Sequence, residues 1–349
     1  MMATEAKNLV EAVLWEAAAK GKVRCGLCNW RCVIDEGKLG RCCVRQNIAG
    51  KLYSLNYHKV CSANPDPIEK KPLFHFQPGS KSFSIAAMGC NFQCDFCQNW
   101  QISQMPAENG RIDGQAISAQ EIVDAAERSG CKSIAYTYTE PTVFMELCRD
   151  CGRLAKTRGL ANVFVSNGYM TKEAIDFAAP WLAGINVDLK AFSEDYYRRL
   201  CKARLQGVLD TISHIANETN IWMEITTLLL PGENDSDEEL RQLADFIVTN
   251  AGADVPWHVS RFHPQYKYLR SRATPIARME RAFEIGKEAG LHYIYLGNVP
   301  GAQAESTFCY HCNAKLIDRV CYTINANKIK NGSCPECGTK VAGFELYSN

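Results

Sequence analysis

The sequence predicts an α/β protein built on a partial (β/α)6-type barrel, with a small Cys-rich module before it and a zinc-ribbon-like module after it. Three observations predict this. Short apolar runs alternate with longer helical stretches from Lys81 to Gly297. Polar residues collect where the strand candidates end. Eleven of the 18 cysteines fall into three spaced groups, and two of those groups lie outside the alternating region. The composition is that of an ordinary globular protein, with 46% hydrophobic and 22% charged residues, which excludes a disordered chain. With 39 Lys+Arg against 38 Asp+Glu the chain is formally +1, so no nucleic-acid partner is expected from charge. No uncharged stretch reaches the roughly 18 apolar residues of a membrane span, and no membrane association is expected.

Residues 1–76 read as the first module. The opening MMATEAKNLVEAVLWEAAAK carries Glu and Lys throughout, so it is read as an amphipathic helix and not a signal peptide. The first cysteine group and the turn-rich DPIEKKPLFHF follow. Few apolar runs are available here, so this module is expected to lean on a metal.

Residues 77–300 read as the barrel. The strand candidates are Phe83–Met88, Ser133–Tyr138, Asn162–Ser166, Ile185–Leu189, Trp222–Leu230, Trp257–Phe262 and His292–Leu296. Their near-continuous apolar character suits parallel strands covered on both faces. Helices are expected over Ser118–Ser129, Thr142–Arg158, Thr171–Ala178 and Ser236–Asn250, the last opened by a Ser236-x-x-Glu239 capping box. Polar residues follow the strands: Cys90 to Cys97, Glu140, Asn167, then Asp188 and Lys190. A barrel brings such strand ends to one face, whereas an open sheet spreads them along a line. Six or seven strands make the barrel incomplete. Residues 301–349 form the last module, with two Cys-x2-Cys knuckles.

The cysteines carry the chemistry. A long chain without an export signal is expected to keep its thiols reduced in the cytoplasm, free to bind metal. Cys309, Cys312, Cys334 and Cys337 supply four thiolates from two tight turns, which closes a tetrahedral site with no open position. A structural zinc is expected there, in preference to a rubredoxin-like iron. Cys25, Cys28, Cys32 and Cys42 also supply four thiolates, but the x3 and x9 gaps suit either zinc or an iron–sulfur cluster, and Cys43 competes with Cys42 as the fourth ligand. The middle group, Cys90, Cys94 and Cys97, has only three. A cubane cluster normally takes four thiolates, so three protein ligands leave one iron open to another molecule. The remaining seven cysteines, Cys201 among them, read as small buried hydrophobes.

The string Cys90-Asn-Phe-Gln-Cys94-Asp-Phe96-Cys97 resembles the Cys-x3-Cys-x-aromatic-Cys motif of radical SAM enzymes. With MGCNFQCDFCQNWQISQ, YTYTEPTVF, NVDLKAFS, LLLPGENDSDEEL, PWHVSRFHPQYK and IYLGNVPG, the chain is similar over nearly its whole length to the radical SAM protein of the AmmeMemoRadiSam system, a relative of pyruvate formate-lyase activating enzymes. Asn29 departs from the proline expected after Cys28. The resemblance implies a [4Fe–4S] cluster on Cys90, Cys94 and Cys97, with S-adenosylmethionine (SAM) at the fourth iron. It implies cofactor contacts from Asn99, from Thr139 and Glu140, from Ser166 or Asn167, from Asp188 and Lys190, from His263 and from Asn298. Glu224 and Thr226 alternate on one strand toward one face, expected to be the barrel lumen, where they contact SAM or substrate or else form a satisfied network.

The activity implied is reductive cleavage of SAM to methionine and a 5′-deoxyadenosyl radical, which abstracts hydrogen from a substrate the sequence does not identify. A flavodoxin- or ferredoxin-type electron donor is implied, as are Memo-like and AMMECR-like partners or a protein substrate. One version of the reading is an activating enzyme of a glycyl radical enzyme. A reading of another class is a non-catalytic zinc or iron–sulfur protein that contacts RNA or protein through basic residues such as Arg24, Arg31, Lys328 and Lys330. It leaves the three-cysteine group unexplained.

Overall fold

The computed structural model describes residues 9–299 and 303–346. Two compact units are each assembled from several stretches of chain. Of the described residues, the first comprises 9–65, 82–93 and 97–183, and the second 66–81, 94–96, 184–299 and 303–346.

The first unit opens with two antiparallel three-stranded sheets. One has the order β1-β6-β5 and the other β2-β3-β4, formed from β1 (Val10–Glu11), β2 (Trp15–Ala17), β3 (Val23–Cys25), β4 (Val33–Ile34), β5 (Arg45–Ile48) and β6 (Lys51–Ser54). The helix expected over residues 1–20 is therefore not present from residue 9 onward; the rest of that expectation lies outside the described residues. Val10 pairs with Ser54, and Trp15 pairs with Cys25. Between them Leu14 takes φ 51, a left-handed turn that a helix does not contain. Pairing partners 6 to 44 residues away outweigh the local helix preference.

After β7 (Val60–Pro67), the first unit contains three parallel strands: β8 (Lys81–Ala87), β9 (Ser133–Tyr136) and β10 (Ala161–Ser166). Neighbours in sequence are neighbours in the sheet. Their connections carry α1 (Trp100–Ser103), α2 (Met105–Asn109), α3 (Ala119–Arg128) and α4 (Met145–Thr157), and α5 (Lys172–Ala178) follows β10. All four residues of β9 are buried, as a doubly covered strand requires. A reciprocal capping box, Ser118 with Glu121, starts α3.

The second unit continues the pattern with β11 (Gly184–Asp188), β12 (Trp222–Leu229), β13 (Trp257–Arg261) and β14 (Ile294–Gly297), again parallel and in sequence order. The helices are α6 (Glu194–Tyr196), α7 (Gln206–Glu218), α8 (Asp237–Asn250) and α9 (Ile276–Glu288). Neither unit reverses its strand order, the mark of a doubly wound sheet. Ser236 caps α8 by accepting from Glu239 N–H at 3.2 Å, but the Glu239 carboxylate accepts from Phe192 N–H at 2.8 Å instead of returning to the cap. The expected capping box is thus half formed, its acidic member drawn off to the loop after β11.

The C-terminal ribbon, β15 (Thr307–Phe308), β16 (Lys315–Val320) and β17 (Thr323–Asn327), forms an antiparallel sheet. Its buried Cys309, Leu316, Ile317 and Cys334 share one hydrophobic cluster with Phe74, Tyr293 and Tyr295.

Candidate active site

In the first unit the ends of three parallel strands meet. Gly89 turns the chain out of β8 at φ +114, and a Cβ there would stand 2.7 Å from Val44 Cγ1, so only glycine fits. The next residue is Cys90, whose Sγ accepts from Phe92 N–H at 3.4 Å. Asn167, just past β10, donates from Nδ2 to Asn91 Oδ1 at 2.6 Å and lies 3.7 Å from Cys90 Sγ. Its Oδ1 accepts from Tyr169 N–H at 3.1 Å. Trp30 Nε1 donates to Asn91 O at 2.9 Å, which ties the N-terminal module to the same loop.

Glu140 fixes this arrangement. It is 1% exposed. Oε1 accepts from Thr142 N–H at 3.1 Å, Thr142 Oγ1 at 2.5 Å and Ser166 Oγ at 2.9 Å, while Oε2 accepts from Asn167 N–H at 2.8 Å. Burial raises its pKa, and these donors only partly offset that. Every carboxylate oxygen is engaged inside the protein, so Glu140 acts through Asn167 and Ser166. Thr139 Oγ1 donates to Ala87 O at 2.7 Å, locking the loop after β9 to the end of β8. Cys97 Sγ stands 3.2 Å from Ser103 Oγ. Asn99, half-buried, begins α1 without a side-chain capping bond, which leaves its amide for other use.

In the second unit Asp188 ends β11, and its Oδ2 accepts from Lys190 Nζ at 3.0 Å. Burial lowers the Lys190 pKa, but Asp188 and the Cys94 and Cys201 thiols outweigh it, and the ammonium is held charged. Lys190 Nζ lies 6.0 Å from the Phe96 ring. The short segment 94–96 is held by Asp95, whose N–H donates to Leu200 O at 2.9 Å. A hydrogen bond from Cys201 lowers the Cys94 pKa; burial opposes it, and Lys190 adds to it. These contacts hold the Cys94 thiol below its ordinary value. Cys201 ends a π-helical turn, Tyr197–Cys201, and is fully buried. Its spacing gave no signal; the aromatic pair Tyr196–Tyr197 before it only marks a packed turn.

The other expected residues divide. Thr226 pairs in register with Asp188 and His258, and its buried Oγ1 has no partner. Glu224 is spent on structure. It accepts from Phe74 N–H at 2.9 Å, His75 N–H at 2.7 Å and Trp222 Nε1 at 3.0 Å, and bonds His258 Nε2 at 2.6 Å. Burial pushes its pKa up, but His258 and these neighbours bring it below the usual carboxylate value. His263 is exposed in the turn after β13. Asn298, at φ 61, donates to Ser260 Oγ and Arg261 O, both at 3.1 Å, which joins the ends of β13 and β14. Pro300 and Gly301 of the GNVPG loop lie outside the described residues.

None of the 18 cysteines, all of them among the described residues, is in a disulfide. Cys309, Cys312, Cys334 and Cys337 place their four sulfurs within 4.8 Å of one another, a donor set that can hold one metal ion. The Thr339 hydroxyl and N–H pull Cys337 down to about 6. His311, between the first two ligands, is exposed. Cys25, Cys28, Cys32 and Cys42 line one small cavity in the first unit. Cys43, at φ 57, is not part of that lining, and its thiol lies 3.7 Å from Arg41 O.

Residues 85–244 match the radical SAM superfamily. An uncharacterized protein of Methanocaldococcus jannaschii is 43% identical over 335 residues, covering 95% of this chain and 98% of its own. A second protein of that organism, provisionally named a glycyl-radical enzyme activating enzyme, is 26% identical and covers 63% of this chain and 80% of its own. A solved radical SAM methyltransferase from Sphaerobacter thermophilus has the same fold, with TM-score 0.51 at 18% identity over 67% of this chain and 70% of its own.

Proposed function

This chain belongs to the radical SAM superfamily, and from that premise we propose that Cys90, Cys94 and Cys97 hold its [4Fe–4S] cluster and that the residues around them bind SAM. The superfamily consists of enzymes, so the reading as a purely binding protein falls away. When bound, the cluster and SAM supply a one-electron reductive cleavage that yields methionine and a 5′-deoxyadenosyl radical. The residues fit this cofactor: three thiols at x3 and x2 spacing follow the first parallel strand, and Cys201 and Lys190 lower the pKa of one of them.

The observation that carries the reading is the Asn167 amide, which reaches both Asn91 and the Cys90 sulfur while Glu140 holds its backbone. A cysteine loop fixed by a buried carboxylate one strand away is a preorganised ligand loop. Asn167 and Ser166 orient the cofactor, Lys190 holds positive charge for the SAM carboxylate, and Asp188 keeps that lysine in place. Thr226, with its open hydroxyl, is the one member of the Glu224/Thr226 pair available to a ligand.

The finer reading is a member of the AmmeMemoRadiSam group, acting with Memo-like and AMMECR-like partners and taking its electron from a flavodoxin- or ferredoxin-type donor in the cytoplasm. Zinc occupies the C-terminal four-cysteine site. No helix of the described residues is long and apolar enough to cross a membrane. A second reading, activation of a glycyl radical enzyme, is favoured by the likeness to the second M. jannaschii protein.

The test is 5′-deoxyadenosine formation by the anaerobically reconstituted chain with SAM and a strong reductant. Product that disappears in Cys94→Ala supports the assignment. Undiminished product in that variant refutes it.

A further inference from the structure

The first cysteine group contains a feature its spacing does not reveal. Cys25, Cys28, Cys32 and Cys42 line a cavity of about 20 Å³ together with Arg45, their sulfurs less closely gathered than the C-terminal four, which lie within 4.8 Å of one another. Arg45 is 2% exposed. Its Nη2 donates to both oxygens of Glu146, at 2.8 and 2.7 Å, and Glu146 also accepts from Val13 N–H at 2.8 Å. The Nε and Nη1 groups of Arg45 have no partner at all. A buried guanidinium with open N–H groups is expensive to maintain. A neutral thiol accepts a hydrogen bond weakly, whereas an ionised acceptor such as a metal-bound thiolate takes one strongly.

We propose that Cys25, Cys28, Cys32 and Cys42 hold a second metal centre of this chain, and that Arg45 is its internal counter-cation, donating from Nε and Nη1 to the ligand sulfurs. The chemistry that Arg45 recognises is a four-thiolate dianion. A zinc ion with four thiolates and a [4Fe–4S] cubane with four thiolates both have that charge, so one arginine suits either. Glu146 clamps the guanidinium in place and fixes which of its edges faces the cavity. Arg41 adds positive charge at the rim, its guanidinium 3.9 Å above the Trp30 ring. Thr142 lines the cavity as well, so the centre joins the N-terminal module to the turn that follows Glu140. This assignment stands independently of SAM chemistry at Cys90, Cys94 and Cys97.

The test is a count of zinc, iron and acid-labile sulfide in the full chain, purified anaerobically, beside Cys94→Ala, Cys28→Ser and Arg45→Met. The Cys94→Ala subtraction identifies the irons of the first cluster, so failure there is read separately. Cys28→Ser is expected to lose either one zinc, or iron with matching sulfide, and the identity of the loss says which centre is present. An inventory in the unaltered protein that the Cys90 group and the C-terminal site account for in full overturns the proposal, whether or not the variants fold. Arg45→Met keeps all four ligands, and its metal is expected to pass to a chelator about tenfold faster. An unchanged rate of release removes the counter-cation role.

Discussion

Two buried side chains state how much of the chemistry rests on single residues. Glu140 accepts four hydrogen bonds through both oxygens. In Glu140→Gln an amide NH2 must replace one oxygen, and it meets either the Asn167 N–H or the Thr142 and Ser166 donors. The expected cost is roughly 1–3 kcal/mol, read from the urea midpoint, with KM for SAM raised because Asn167 loses its anchor. A normal KM in a folded variant would show that Glu140 only stabilises the loop. His75 makes a prediction in pH. Its Nδ1 faces Ala342 O at 2.7 Å and its Nε2 faces Tyr295 Oη at 2.6 Å, so the neutral ring donates at one end and accepts at the other. Burial lowers its pKa to about 4. The unfolded chain takes up this proton near its ordinary value of about 6.5, and the folded chain only near 4. Stability is therefore full above that ordinary value and falls as the pH drops between the two, by about 1.4 kcal/mol per unit for one proton. Denaturant titrations at pH 7 and pH 5 should differ by more in the parent than in His75→Gln.

At the scale of elements, the parallel strands were legible because a strand covered on both faces is apolar along its length. The seven strand expectations from Phe83 to Leu296 correspond to β8 through β14 within a few residues. The N-terminal segment was misread for the opposite reason. Val10–Glu11 and Trp15–Ala17 owe their extended form to Tyr53, Ser54 and Val23–Cys25, and no local pattern announces such partners. Site elements divide in the same way. The cysteine loop was visible from spacing, whereas the Glu140–Asn167–Asn91 chain and the approach of Cys201 to Cys94 depend on which elements meet. Gly89 shows what the loop demands of its element. Gly89→Ala would place a methyl group against Val44 at a backbone angle of φ +114. We expect roughly 1–3 kcal/mol of lost stability and a lower iron content after reconstitution. Val44→Ala in the same chain removes the contact but not the backbone strain, so it should restore only part of both. Full restoration would assign the whole effect to the clash.

At the scale of the whole molecule, the C-terminal cysteines read from sequence as a closed module, and the four sulfurs named by their spacing lie within 4.8 Å of one another. Spacing could not show that the module has no core of its own. Cys309 and Cys334 are buried in the cluster that contains Phe74, Tyr293 and the β14 residue Tyr295. Arg319, 3% exposed, donates from Nη1 to Thr307 Oγ1 and from Nη2 to Phe74 O, both at 2.6 Å. Its guanidinium lies 4.5 Å from the Phe74 ring. The four-cysteine group is thus one wall of the second unit's core, although Cys312 and Cys337 remain exposed. Two consequences follow from that pairing of exposed ligands with buried ones. A chelator can reach this site through two exposed cysteines, whereas Cys25 is buried and Cys28, Cys32 and Cys42 are half-buried, so its metal should leave before any metal held at the Cys25 group. Removing it should then loosen Phe74, Tyr293 and Tyr295 together, since closed thiolate sites contribute their binding free energy to folding. In Cys312→Ala we expect the thermal midpoint to fall by several degrees, with near-ultraviolet tyrosine signals changing in the same transition. The 5′-deoxyadenosine formed per correctly folded molecule should stay close to that of the parent. A ribbon that melts first while the tyrosine signals persist would mean that the module folds on its own, and that the shared cluster is contact without coupling.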